Sequence, residues 1–100
     1  MKDNKPKLID FKNMIKEFPS LPGIYIMKNK YKDIIYVGKA RNLKNRVGSY
    51  FNTGKDIKTS FLVTQIVFIE YTVTENEYEA LLLENNLIKQ WKPRFNINLK

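Results

Sequence analysis

One stretch does most to limit what this chain can fold into: Gly23 to Tyr50, reading GIYIMKNKYKDIIYVGKARNLKNRVGSY. Two short runs rich in β-branched and aromatic residues, Gly23–Lys28 and Ile34–Gly38, flank Asn29–Asp33, which is polar apart from Tyr31 and has no proline. Runs of that length and makeup are strands, and a short connection of this kind closes them as an antiparallel hairpin. Strand alternation sets Tyr25 and Met27 on one face and Ile24 and Ile26 on the other. In the second strand Tyr36 shares a face with Ile34 and Gly38, opposite Ile35 and Val37.

After Gly38 the chain reads KARNLKNRVGSYF. Leu43, Val47 and Phe51 recur every fourth residue, and so do Asn42, Arg46 and Tyr50, which predicts a helix with an apolar face beside a polar one. Lys39, Arg41 and Lys44 add positive charge nearby. Gly48 costs about 1 kcal/mol relative to alanine inside a helix, so it marks a close approach or an early helix end.

On the N-terminal side, residues 1–9 read as a loosely held start. Asp10 is placed to cap a short helix carrying Phe11, Met14, Ile15 and Phe18, which Pro19 ends. On the C-terminal side, Asn52–Asp56 is a loop, and Asp56 can cap a helix through Phe61, Leu62 and Gln65. A third strand follows over Ile66–Val73, with Val67, Ile69, Tyr71 and Val73 on one face. Thr74 and Glu77 have capping-box spacing ahead of a helix over Glu75–Trp91, whose expected buried stripe is Tyr78, Leu81, Leu82, Leu87, Ile88 and Trp91. Pro93 stops that helix, and the tail PRFNINLK is expected to be extended. The expectation is therefore one α+β domain over residues 1–100: a small three-stranded antiparallel sheet flanked by helices.

The composition narrows the chemistry. With no cysteine and no histidine, the chain has no thiol nucleophile, no zinc cluster and no imidazole base. Any metal must be a hard, oxygen-seeking ion. No apolar run reaches the roughly 20 residues of a membrane helix, and the expected compartment is the cytoplasm. The net charge of +8 lies wholly in residues 1–50, with twelve basic and four acidic side chains against six of each in residues 51–100. A one-sided basic surface fits a polyanion, most simply nucleic acid. Lys39, Arg41, Asn42, Lys44, Arg46, Lys55 and Lys58 are the candidate contacts.

Phosphodiester hydrolysis under these restrictions needs a carboxylate for a metal, cations for the phosphoryl oxygens and a group to position water. Among the acids, Glu84 stands out because it follows three leucines and falls toward the buried side of its helix. A single carboxylate holding one largely hydrated Mg²⁺ is a normal arrangement for that ion. Arg46 offers a bidentate contact to phosphate and Lys39 a point charge. Tyr25 and Tyr36 can position water, or accept its proton if nearby cations acidify a phenol whose pKa is ordinarily near 10. Each has a plainer role available: tyrosines pack strands, Arg46 and Lys39 line a solvated helix, Glu84 is a surface acid and Asn96 a turn residue.

Gly23-Ile24-Tyr25, ten residues, then Tyr36-Val37-Gly38 resembles the signature of GIY-YIG nucleases, with valine in place of the second isoleucine. Together with Lys39-Ala40, the run Leu43-Lys44-x-Arg46-Val47-x-Ser49-Tyr50-Phe51 and EALLLENNLIKQWKPRFN, the chain from Phe18 to Leu99 is similar to the N-terminal endonuclease domain of the UvrC family. The resemblance implies a site of Tyr25, Tyr36, Lys39, Arg46, Tyr50, Glu84 and Asn96. In it Glu84 binds Mg²⁺ or Mn²⁺, Tyr36 is the proposed proton acceptor and Asn96 closes the site from the C-terminal side. It implies incision of damaged duplex DNA 3′ to a lesion, with UvrB as partner and UvrA acting upstream, by a monomeric domain at the start of a longer protein. A stand-alone small GIY-YIG nuclease and a non-catalytic nucleic-acid-binding module are the alternatives.

Overall fold

In the computed structural model, residues 11–52 and 56–98 are described. They form α1 (Phe11–Lys16), β1 (Gly23–Lys28), β2 (Ile34–Ala40), α2 (Leu43–Ser49), α3 (Ile57–Gln65), β3 (Phe68–Val73), α4 (Glu77–Trp91) and α5 (Arg94–Asn98). The strands make one antiparallel sheet in the order β2-β1-β3. The expected α+β architecture is the one observed.

β1 is the central strand, and it is buried on both sides. Tyr25 and Met27 join Ile15, Phe18, Leu43, Val47, Leu62 and Phe95 in the main core, while Ile24, on the opposite face, is also buried. The hairpin register pairs Tyr25 with Gly38 and Met27 with Tyr36, so the two signature tyrosines sit on one face as alternation requires. A register shift follows at Met27/Lys28. The turn is tied by Asn29, whose Oδ1 accepts from the amides of Tyr31 and Asp33, and it places Lys32 at φ 67°.

The signature glycines are where side chains would collide. A Cβ on Gly23 would strike the carbonyl oxygen of Thr72 and lie 2.9 Å from Leu43 Cδ1, and one on Gly38 would strike the ring of Tyr25. Both strands can therefore carry only glycine there without something moving. Gly48 differs, since a Cβ would meet only Ile15 Cγ2 at 3.8 Å. Its position in the last turn of α2 fits the helix-end reading.

Several boundaries depart from expectation. Ile66 caps the C-terminus of α3 and β3 begins at Phe68. Of the residues expected on one face of the third strand, Val67 precedes β3, Ile69 is buried, and Tyr71 and Val73 are exposed. Asn76 rather than Thr74 caps α4, accepting from Glu79 N at 2.8 Å, while Glu79 Oε1 accepts from Glu75 N at 3.0 Å. The arrangement is close to a capping box moved two residues along, with the glutamate accepting from the residue before the cap. The expected extended tail is instead α5. Lys92 adopts the left-handed conformation at the end of α4, and Pro93 then opens the new helix, its carbonyl accepting from Asn96 and Ile97. Asp10, Lys55 and the N-terminal start fall outside the described residues; Asp56 caps α3 as expected, accepting from Thr59 N at 2.7 Å.

The largest correction concerns α4. Tyr78 (67% exposed), Leu81 and Leu82 face outward, the inward stripe is Ala80, Leu83, Glu84, Leu87 and Ile88, and Trp91, on the inward side, stays 53% exposed because it lies at the helix end. With three leucines in a row, periodicity alone allows either rotation. The fully buried Ala80 lets α4 lie close to the sheet, and the rotation that buries it carries Glu84 inward.

Candidate active site

The polar groups come from four elements and one connection. β1 presents Tyr25, β2 presents Tyr36 and Lys39, the β2–α2 connection Arg41, α2 Arg46, and α4 both Glu77 and Glu84. Together with Gly38 and Ala40 they line one open cavity of about 490 Å³. Glu84 is thus brought to the tyrosines by tertiary packing, across the forty-eight positions that separate it from Tyr36.

Three phenol rings cluster at the site. The Tyr25–Tyr36, Tyr25–Tyr50 and Tyr36–Tyr50 centroids are 6.2, 5.7 and 6.4 Å apart. Tyr25 and Tyr50 share a 2.6 Å hydroxyl–hydroxyl hydrogen bond, and the Arg46 guanidinium lies 5.8 Å from the Tyr50 ring centre. Tyr50 stands behind Tyr25 and does not line the cavity.

The electrostatics run against an acidic phenol. Burial, reinforced by the neighbouring phenol Tyr36, pushes Tyr25 up to about 12, with hydrogen bonds from Tyr50 and Arg46 opposing. Tyr36 and Tyr50 are pushed higher still, again chiefly by burial, and Arg46 only partly offsets this. Arg46 itself is held more firmly charged by its hydrogen bond to Tyr25. The condition attached to a phenolic base, acidification by nearby cations, is outweighed here by desolvation.

Asn96 lies on the outer edge of β2. Its Oδ1 accepts from Val37 N at 2.8 Å and its Nδ2 donates to Val37 O at 2.9 Å, which satisfies both outward-facing backbone groups of that edge residue. It sits beside the cavity and does not line it.

The remaining candidate nucleic-acid contacts are dispersed. Asn42 is the N-cap of α2, its oxygen accepting from Asn45 N at 3.0 Å. Lys44 and Lys58 belong to α2 and α3, outside the cavity lining. Glu77 is the cavity residue that sequence reasoning missed. Its carboxylate pairs with Lys39 at 3.6 Å and Arg41 at 3.4 Å. The available signal was its place two helical turns before Glu84, on nearly the same face.

The donor set suits one hard cation. Glu84 is half-buried and faces the cavity, and among the described residues no group of three or more His, Cys, Asp or Glu side chains comes together. Glu77 is about 10 Å further along the helix axis and occupied by two cations. One carboxylate beside open polar space fits an ion that retains most of its water, as Mg²⁺ does.

A family model described as the UvrC-like GIY-YIG domain matches residues 21–97. The UvrABC system protein C of Treponema denticola is 61% identical over 82 residues, which is 82% of this chain and 13% of that protein. Its counterpart in Koribacter versatilis is 55% identical over 94 residues, 92% of this chain and 15% of that protein. The chain therefore spans under a sixth of the length of these relatives. Among solved structures, the GIY-YIG N-terminal endonuclease domain of UvrC from Thermotoga maritima, bound to its catalytic divalent cation, magnesium, is similar with a TM-score of 0.80 and 38% identity. That match covers 89% of this chain and 98% of the crystallised one.

Proposed function

The chain belongs to the UvrC-like GIY-YIG family, and from that premise we propose that it is a metal-dependent DNA endonuclease domain that cuts a phosphodiester bond 3′ to a lesion in bacterial nucleotide excision repair. The observation that carries this is the cavity itself, where two tyrosines, three cations and the half-buried Glu84 converge from four elements and the loop after β2.

Glu84 would hold one Mg²⁺ or Mn²⁺, which when bound supplies charge neutralisation at the phosphoryl and leaving oxygens. Arg46 makes planar contacts to the non-bridging oxygens, and Lys39 places a point charge beside them. Tyr36 orients the attacking water by accepting a hydrogen bond from it at its hydroxyl oxygen, as a phenol that stays protonated can. Tyr25 and Tyr50, joined by their 2.6 Å hydrogen bond, hold the Tyr36 ring and the Arg46 guanidinium in place. Asn96 fixes the β2 edge next to Tyr36 through Val37.

The wider setting follows from the same premise: a single monomeric domain at the start of a longer cytoplasmic protein, acting on damaged duplex DNA with UvrB after UvrA. None of the described helices is long and apolar enough to cross a membrane.

The test is nicking of a UvrB–damaged-duplex complex in Mg²⁺. Glu84→Gln is expected to lower incision by about 100-fold or more while duplex binding survives. Incision equal to the unmodified protein would overturn the assignment of Glu84.

A further inference from the structure

At the end of the sheet farthest from Lys39, aromatic and basic side chains interleave. Trp91, the chain's single tryptophan, lies 53% exposed against a cavity of about 420 Å³ that it lines with Lys28, Lys32, Asp33 and Ile34. The hairpin turn adds Tyr31, 71% exposed with Lys30 Nζ 5.1 Å from its ring centre, and the start of β3 adds Phe68, 39% exposed with Lys32 Nζ at 5.7 Å. Lys28 is committed to Glu70 at 3.0 Å, whereas among the described residues neither Lys30 nor Lys32 pairs with a carboxylate.

Exposed rings alternating with lysines are what a strand of unpaired nucleotides binds: bases stack on the rings and phosphates meet the ammonium groups. The placement is suited to the same strand that is cut. Trp91 follows Glu84 by seven residues on one helix, so it lies on nearly the same face, about 10 Å further along the axis. That is a separation of about three nucleotides of a stacked strand.

We propose that Trp91, Tyr31 and Phe68 with Lys30 and Lys32 form a second nucleic-acid site, which binds unpaired DNA flanking the scissile phosphate by stacking. Asp33, at the rim, accepts from a base amino group. The proposal rests on DNA being the substrate of the main cavity.

Because the chain has one tryptophan, its emission reports this site alone. Titration with an octadeoxycytidylate is expected to quench Trp91 emission saturably, and an abasic octamer of equal charge is not. By anisotropy of the labelled octamer, Trp91→Ala weakens binding about 5- to 100-fold, Trp91→Phe retains most of it, and the Lys30→Glu, Lys32→Glu double variant weakens it about tenfold. Unchanged emission at saturating octamer, or unchanged affinity in Trp91→Ala, overturns the proposal. Nicking of the UvrB–damaged-duplex complex in Mg²⁺ by the same samples separates the two readings. Nicking with a silent Trp91 removes only the stacking site; quenching without nicking removes only the nuclease reading and leaves the stacking site supported.

Discussion

Asn96 grips Val37 by both of its backbone groups, accepting from the amide at 2.8 Å and donating to the carbonyl at 2.9 Å. A side chain from the last helix thereby takes the place of a fourth strand at the edge of β2, one residue from Tyr36. Asn96→Ala leaves two edge groups without a protein partner and is expected to cost about 1–3 kcal/mol. Urea unfolding measures that loss, and incision should fall with it because the neighbour of Tyr36 is released. A variant of unchanged stability would remove this edge-pairing role.

Gly38 faces the Tyr25 ring so closely that no Cβ fits between them. Gly38→Ala should destabilise by about 1–3 kcal/mol and tilt the phenol away from Tyr50. The contacting atoms include the Tyr25 hydroxyl, so Tyr25→Phe in the same chain should recover part of the loss. A double-mutant cycle reads the coupling, and strict additivity would show that the steric conflict is relieved elsewhere.

Glu77 occupies the two cations, Lys39 and Arg41, that a DNA phosphate would otherwise meet at the cavity mouth. All three groups are partly or largely exposed, so each pair contributes little, and Glu77→Gln should tighten duplex binding by about 2- to 5-fold at low salt. The gain should fade as ionic strength rises. Glu70→Gln removes the same charge from the pair with Lys28 and is the control; anisotropy with labelled duplex should show a smaller change there.

The tyrosine cluster makes stability depend on alkaline pH. A phenol whose folded pKa exceeds its unfolded value of about 10 contributes stability that is complete below that value and lost as pH rises through the folded one. For Tyr25 the folded value is about 12, and Tyr36 and Tyr50 lie above it. Stability from these groups should therefore be level from neutrality to about pH 10 and fall steeply beyond it. Chemical unfolding across that range tests this, and the triple variant Tyr25→Phe, Tyr36→Phe, Tyr50→Phe should flatten the fall.

The hairpin was legible because period-two alternation and a polar turn mark both strands, but the pairing of Tyr25 with Gly38 depends on the register shift at Met27/Lys28, which no side-chain pattern announces. The face of α4 was not. EALLLENNL is apolar around much of its circumference, so the choice between burying Leu82 and burying Ala80 belongs to the sheet it meets. The same rotation decides that Glu77 joins Glu84 in the cavity, which is why the capping position hid a site residue. The tail misread has a local cause. Pro93 stops α4, but a proline also opens helices, and only the left-handed turn at Lys92 reveals that a second helix follows. Asn96 could be named from resemblance, yet its bond partner is backbone, and no side-chain pattern announces that.

The distribution of the cavity over the chain sets an order of events at the ribosome. Tyr25, Tyr36, Lys39 and Arg46 are translated first, together with the whole excess of positive charge, and Glu84 comes last. A nascent chain thus acquires its attraction for polyanions well before the carboxylate that would hold a metal. An incomplete translation product ending before α4 would carry the grip without the blade.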